Sequence, residues 1–270
     1  MYEIPGFMGR DMVDAKTEFI DTLCKYFKTP KEERSDVLYF VTAMEDELRA
    51  AGLSDSESAG IHMLHLWAIT ANVYKATFWT IAYLVHQREL LDHIRAEVAP
   101  AVDVAGETVD LKYLAEKCPR LEALFNEVLR VNSAGALARE VIAPTLFDGK
   151  MLAKSTKLMI PYRQLHLDGD VWGPTAHSFD PERFLKDKSL ARNQSFRPFG
   201  GGYTLCPGRF LARKSVYTIV ALLFSRYDVA LDSDVANQKF PPLDDTTAGL
   251  GTMAPMPGVD VKLVIKPINN

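Results

Sequence analysis

Only three cysteines occur in this chain, Cys24, Cys118 and Cys206, and they form no disulfide framework. Their scarcity excludes the small secreted folds stapled by bridges and suits a reducing compartment. Positive charge is not in excess either. The 31 Lys and Arg stand against 35 Asp and Glu, and the net charge of -4 argues against a broad nucleic-acid surface. The first residues, Met1-Tyr2-Glu3-Ile4-Pro5-Gly6, are expected to form neither a signal peptide nor a membrane anchor. Internal repeats and low-complexity tracts are not evident. One apolar run, residues 58–86, is about long enough to span a bilayer. His62, His65, Asn72 and Lys75 inside it would be costly in lipid, so it reads as a long helix crossing a globular domain.

What is present is a chain able to bury a substantial core, with 270 residues, 47% of them hydrophobic and 24% charged. Periodicity predicts helices over residues 11–27 and 36–51 ahead of the long one, and over 119–130 after it. Short extended segments are expected near 138–142 and 157–161, and a Gly-, Pro- and Asp-punctuated stretch over 168–197. A helix should follow Cys206, then strands over 227–231 and 259–265. The fold class expected is mainly α with a minor β-sheet, in one domain over residues 1–270.

The most informative stretch is Phe196-Arg197-Pro198-Phe199-Gly200-Gly201-Gly202-Tyr203-Thr204-Leu205-Cys206-Pro207-Gly208-Arg209. It sets one thiol at the end of a glycine-rich loop and just before an apolar helix. Unpaired N–H groups and the positive dipole end of a helix N-terminus lower a thiol's pKa. Pro207 suits a first helical position, where its missing N–H costs nothing, which leaves the amides of Gly208 and Arg209 as donors to the sulfur. The three glycines allow a tight bulge and a close backbone approach to a flat ligand, and Phe199 could shield the sulfur from water. The spacing F-x-x-G-x-x-x-C-x-G is met by Phe199, Gly202, Cys206 and Gly208, a match expected by accident in on the order of one chain in a thousand.

This loop resembles the haem-binding signature of the cytochrome P-450 family, the haem-thiolate monooxygenases. The resemblance implies haem b (iron protoporphyrin IX) as cofactor, with Cys206 as the axial ligand of its iron and Phe199, Gly202 and Gly208 shaping the cofactor-binding loop. An electron-donating thiolate weakens the O–O bond of bound oxygen. By the same resemblance Glu127 and Arg130, three apart on one helical face, form a buried structural triad with Arg183 of Pro181-Glu182-Arg183-Phe184. A carboxylate between two planar guanidinium groups is well satisfied, and a half-paired buried charge would be costly. Arg139, in Leu137-Ala138-Arg139-Glu140, takes the place of a haem-propionate ligand. The position two before the cysteine often holds a basic residue in relatives; here it is Thr204.

In the long helix most relatives carry an acid followed by an alcohol. Aligned on Trp79, Ala71 takes the acid's position and Asn72 the alcohol's, which makes Asn72 the catalytic candidate on the oxygen side. This pattern, with Gln164-Leu165-His166-Leu167-Asp168, resembles the branch containing prostacyclin synthase and the sterol hydroxylases of bile-acid synthesis. The haem loop looks like that of fungal members. Asn72 does not decide the reaction, since an amide can donate and accept but is no acid at neutral pH. The resemblance covers nearly all of this chain but only the second half of the family fold. The expectation is therefore a cytochrome P-450 fold lacking its N-terminal half.

The function implied is insertion of one oxygen atom from O2 into a lipophilic small molecule, such as a terpenoid, sterol or polyketide, with electrons from NADPH-cytochrome P-450 reductase. Two alternatives stay open: a haem-thiolate isomerase or dehydratase of a peroxide working without reductase, and a non-catalytic fragment. Substrate-facing candidates by resemblance are Leu64, Ala68 and Asn72, residues 134–137, and residues 249–253. Arg209, Arg213 and Lys214 could meet an acidic electron donor or simply face solvent. An intracellular site at the endoplasmic reticulum membrane is expected for full-length relatives, with no membrane span in this chain. The pair His62 and His65 lacks a zinc-site pattern, and Asp168-Gly169-Asp170 reads as a turn because no closing Glu follows for calcium.

Overall fold

The computed structural model describes residues 9–34, 37–103, 108–233, 238–247 and 251–268. The chain divides into two compact units, residues 1–71 and 72–270. The first contains α1 (Arg10–Lys28), α2 (Tyr39–Ala50) and the opening half of α3 (Asp55–His86). The α2 helix starts later than the sequence pattern suggests; residues 35 and 36 lie outside the described residues. After its last residue, Ala50, the chain turns at Gly52, whose φ of 81° lets Leu53 N–H reach back to the Leu48 carbonyl at 3.1 Å. The α3 start is a capping box: Ser54 Oγ accepts from Glu57 N–H at 3.3 Å, and Glu57 Oε2 accepts from Ser54 N–H at 2.9 Å. Glu45, buried, accepts from Arg34 at 2.8 Å and Arg49 at 3.0 Å. Burial pushes its pKa up, but these two guanidinium groups outweigh that and hold it below the usual carboxylate value.

The second unit continues α3 into α4 (Arg88–Val98), α5 (Leu111–Lys117) and α6 (Pro119–Asn132), which form its core with α10 (Arg209–Arg226). Leu121 and every residue of α6 from Ala123 to Asn132 are buried, so beyond its first turn this helix has no solvent face. Trp79, Leu91, Ile94, Phe125, Val128, Val216, Val220 and Phe224 pack in one apolar cluster. The expectation of a mainly α fold with little sheet holds.

Between α6 and α10 lie β1 (Ala136–Glu140), β2 (Thr145–Phe147), β3 (Lys150–Leu152), β4 (Lys157–Pro161), α7 (Tyr162–His166), α8 (Gly169–Trp172) and α9 (Glu182–Lys186). The β1 and β4 strands pair antiparallel, Arg139 opposite Leu158. The β2–β3 hairpin was not anticipated, although Asp148 (φ 47°) and Gly149 (φ 71°) are a favoured two-residue turn. After α10, β5 (Tyr227–Leu231) pairs with β6 (Leu263–Pro267). The second strand starts beyond residue 259 because Gly258, at φ 79°, lies in a turn closed by Val259 N–H on the Met256 carbonyl at 3.3 Å. Among the described residues, no helix is long and apolar enough to cross a membrane.

Candidate functional site: the Cys206 loop and its supports

Phe196 anchors the entry to the cysteine loop in a buried aromatic cluster with Trp172 and Phe184, ring centroids 6.1 and 5.2 Å away. The chain then turns repeatedly. Gly200 N–H donates to the Arg197 carbonyl at 3.1 Å, and Gly200 and Gly202 take φ values of 82° and 65°, a backbone that L side chains rarely adopt. A side chain at Gly201 would meet Arg197 Nη1 at 2.9 Å. Cys206 N–H donates back to the Phe199 carbonyl at 3.0 Å, closing the loop. Cys206 is a free, half-buried thiol, and a Cβ at Gly208 would lie 3.7 Å from its sulfur. Pro207 is not the first helical residue. Cys206–Gly208 forms a turn, α10 begins at Arg209, and Ala212 N–H donates to the Gly208 carbonyl at 2.9 Å.

Arg139 reaches the loop from β1, donating from Nη2 to Thr204 Oγ1 at 2.8 Å. Both side chains are exposed. Phe199 is half-buried and packs towards the core, 6.5 Å from Phe125. Arg209 donates to the Cys206 carbonyl at 2.9 Å and lies over the Phe210 ring, while Arg213 pairs with Glu122 at 3.4 Å. Of the three cations on this side, Lys214 is the exposed one.

Behind the loop, Glu127 and Arg130 are both wholly buried. Arg130 grips Glu127 with two bonds of 2.7 Å, from Nε to Oε2 and from Nη2 to Oε1. Its remaining N–H groups donate to the carbonyls of His166 (2.8 Å), Ala176 (2.5 Å) and Ser178 (2.9 Å). Glu127 Oε1 also accepts from Asp180 N–H at 2.8 Å and Arg183 Nε at 3.4 Å. Arg183 ties the carbonyls of Trp172 (2.9 Å) and Thr175 (3.1 Å). One carboxylate thus organises α6 and the whole segment from residue 166 to 183.

His166 is the residue that sequence reasoning undervalued. Fully buried, it accepts the Arg197 N–H on Nε2 at 2.8 Å, at the loop's first turn. Burial first, then the Arg130 charge, lower its pKa from 6.5 to about 4, so it is a neutral acceptor. An acceptor at Nε2 puts the proton on Nδ1, a buried atom with no hydrogen-bond partner among the described residues.

Elsewhere in the second unit Asn72, half-buried on α3, accepts the Thr252 N–H on Oδ1 at 3.0 Å. Residues 251–253 run beside the end of α6. Ala134 N–H donates to the Gly251 carbonyl at 2.9 Å and Met253 N–H to the Asn132 carbonyl at 2.7 Å. Thr252 and Met253 are buried at this junction, and Trp79 Nε1 donates to the Met253 carbonyl at 2.8 Å. Ala134, Gly135 and Leu137 are half-buried and Ala136 exposed, while residues 249 and 250 lie outside the described residues. In the first unit Leu64 and Ala68 are exposed. His62 and His65 each bond their own helix through Nδ1, and Asp168 caps α8 by accepting Asp170 N–H at 3.0 Å.

The Cys206 loop suits haem b by the chemistry of its donor set. It offers a half-buried thiol for a soft iron ligand, a guanidinium and a hydroxyl for propionate carboxylates, and backbone free of side chains at Gly200 and Gly202. Exposed Leu205 and Tyr203 beside Cys206 supply apolar surface that a porphyrin would cover.

Similarity to known proteins agrees with this geometry. A model of the Cytochrome P450 family matches residues 3–257. Cytochrome P450 7A1 of Rattus norvegicus is 28% identical over 87% of this chain and 50% of its own length. Cytochrome P450 monooxygenase nodJ of Hypoxylon pulicicidum is 27% identical over 88% of this chain and 49% of its length. The 7-alpha-hydroxycholest-4-en-3-one 12-alpha-hydroxylase of Oryctolagus cuniculus is 27% identical over 87% of this chain and 51% of its length. The chain spans about half the length of the curated relatives it matches. A free thiol at the head of α10, on a loop closed by Phe199 and Cys206, and a family match running through both place this chain in the cytochrome P450 family.

Proposed function

We propose that this chain is the haem-binding part of a monooxygenase that inserts one oxygen atom from O2 into a lipophilic small molecule. Members of its family bind haem b through a cysteine thiolate. The observation that carries the reading is the closed Cys206 loop, with its half-buried thiol and the Arg139–Thr204 pair beside it. Bound haem would supply the one-electron and oxygen chemistry that amino-acid side chains lack. The protein's part is to bind and orient. Cys206 would ligate the iron, and the Phe199–Cys206 backbone bond keeps the sulfur from swinging away with the loop. Arg139 and Thr204 would hold propionates. The Glu127–Arg130–Arg183 set would brace the back of the loop through residues 166–183, and His166 would fasten its first turn. Asn72 would be the polar group on the oxygen side.

The substrate proposed is nonpolar and of terpenoid, sterol or polyketide type. The names of relatives that act on cholestane compounds support that choice, as do the fungal monooxygenases among them. Electrons would come from NADPH-cytochrome P-450 reductase, with exposed Lys214 available to an acidic partner. The intracellular location at the endoplasmic reticulum expected by resemblance belongs to this proposal and is checked by cell fractionation. A peroxide isomerase needing no reductase is the second reading, favoured by Ala71 where an acid would stand. NADPH-independent turnover of a lipid peroxide would select it.

The test is the carbon-monoxide difference spectrum of the reduced, haem-supplied protein. A red-shifted thiolate band that vanishes in Cys206→Ser supports the assignment; no band, or one unchanged by the substitution, overturns it.

A further inference from the structure

The α6 helix carries a buried amide that the fold does not use. Asn126 is 4% exposed, yet neither end of its side-chain amide has a hydrogen-bond partner among the described residues. Polar neighbours on the same helix are bonded: Arg130 donates to Glu127 at 2.7 Å, and Asn132 Nδ2 to the Val128 carbonyl at 2.8 Å. A buried polar group left unpaired is rare, because nothing offsets its loss of water. Asn126 does meet open space. It lines a cavity of about 60 Å³ between α6, α9 and the turn Lys188–Arg192. The walls are apolar, with Ala123 and Phe184 buried and Leu185 half-buried. The mouth carries both signs. Glu122 there is tied to Arg213 at 3.4 Å, and exposed Lys188 has no ion-pair partner among the described residues. Arg120 joins α6 to α9 through Glu182 at 2.9 Å, which holds the two main walls together. A cavity of about 150 Å³ holds a benzene ring, so about 60 Å³ takes roughly two to three heavy atoms. That is one functional group, with its stem leaving through the mouth.

We propose that this cavity binds a primary carboxamide head, with Asn126 as the residue that recognises it. The carbon, nitrogen and oxygen of a carboxamide match the space. They also answer both ends of Asn126 at once: the ligand N–H donates to Oδ1, and the ligand oxygen accepts from Nδ2. A ketone would leave Oδ1 unpaired, and a carboxylate would set a second acceptor against it. Being neutral, a carboxamide enters apolar walls without stripping water from a charge, and the mixed signs at the mouth repel neither end of it. The head belongs to a free small molecule or to a partner's asparagine or glutamine side chain. This site stands apart from the Cys206 loop and needs no haem.

The test uses the full chain labelled with nitrogen-15 and follows the Asn126 side-chain NH2 signal, identified by its loss in Asn126→Ala. Propionamide, propionate and butanone, probes of equal size, are titrated in turn. Propionamide should shift the signal saturably and bind about five-fold tighter than butanone, which lacks the N–H for Oδ1. Calorimetric affinity for propionamide should fall about twenty-fold in Asn126→Ala, with both bonds gone. Ala191→Leu keeps Asn126 and narrows the mouth from an exposed position, so it should block propionamide without disturbing the fold. A signal that propionamide leaves in place overturns the site, the cavity then holding water only. Equal affinity for propionamide and butanone overturns the two-ended pairing, as does undiminished propionamide binding in Asn126→Ala. Unhindered binding in Ala191→Leu overturns the cavity as its location. Propionate binding tighter than propionamide, with the advantage lost in Lys188→Ala, overturns the carboxamide assignment in favour of an anion. A capped Gly-Gln-Gly peptide separates the two sources: tighter binding than propionamide assigns the head to a protein, weaker binding to a free molecule, and either upholds the carboxamide.

Discussion

Acidification should weaken the hold of His166 on the cysteine loop. The ring is wholly buried, accepts Arg197 N–H on Nε2, and has the Arg130 guanidinium bonded to its own carbonyl. Protonation would put a hydrogen where the acceptor must be and a charge beside Arg130 and Arg163. In the unfolded chain His166 takes its proton at the ordinary 6.5; in the folded chain it resists down to about 4. The unfolded state therefore binds more protons across that window, so stability falls as pH drops from about 6.5 to about 4 and levels off below. At about 1.4 kcal/mol per tenfold in proton affinity, the loss totals about 3 kcal/mol, a large share of a domain's stability. The assay is urea unfolding, followed by tryptophan fluorescence, at a series of pH values for the wild type and His166→Gln. Glutamine's terminal oxygen can reach the Arg197 N–H but does not titrate. Its curve should run flat where the wild type falls, the two differing by one proton in slope. Parallel curves between about pH 6.5 and 4.5 would refute the reasoning.

Glu127→Gln preserves shape but removes the charge between Arg130 and Arg183, leaving a buried guanidinium uncompensated. A loss of about 3 to 5 kcal/mol is expected in the same unfolding assay, and a stability within error of wild type would contradict the bracing role. Arg139→Leu should leave the melting temperature of the haem-free chain unchanged, because Arg139 and its partner Thr204 are exposed. Transfer of haem to apomyoglobin should speed up about ten-fold, since a charged hydrogen bond to a propionate is lost, and an unaltered transfer rate would remove Arg139 from the site.

Features legible in the sequence were those whose signal is local. The long apolar run of α3 and the spacing of Phe199, Gly202, Cys206 and Gly208 each depend on neighbours a few positions away. The capping box Ser54–Glu57 and the Asp148-Gly149 turn were equally local and were passed over. Start points were less legible. Pro207 has the right chemistry for a first helical position, yet the chain turns once more before α10, with Arg209 donating to the Cys206 carbonyl. Glu127 and Arg183 stand 56 positions apart, and only resemblance linked them.

His166 and Gly251 carried no local signal at all. One is a histidine in a short helix, the other a glycine near a turn-rich end, and nothing beside either names its partner. Sequence by itself determined the helical class and the family, because helix periodicity and a glycine-cysteine loop are written in short-range order. Tertiary structure alone decided that His166 must stay neutral, that Arg130 spends its donors on three carbonyls as well as Glu127, and that Asn72 gives its oxygen to Thr252 180 positions away. The physical reason is that burial and hydrogen-bond direction belong to the folded arrangement, where a polar group's state is set by which distant atoms surround it.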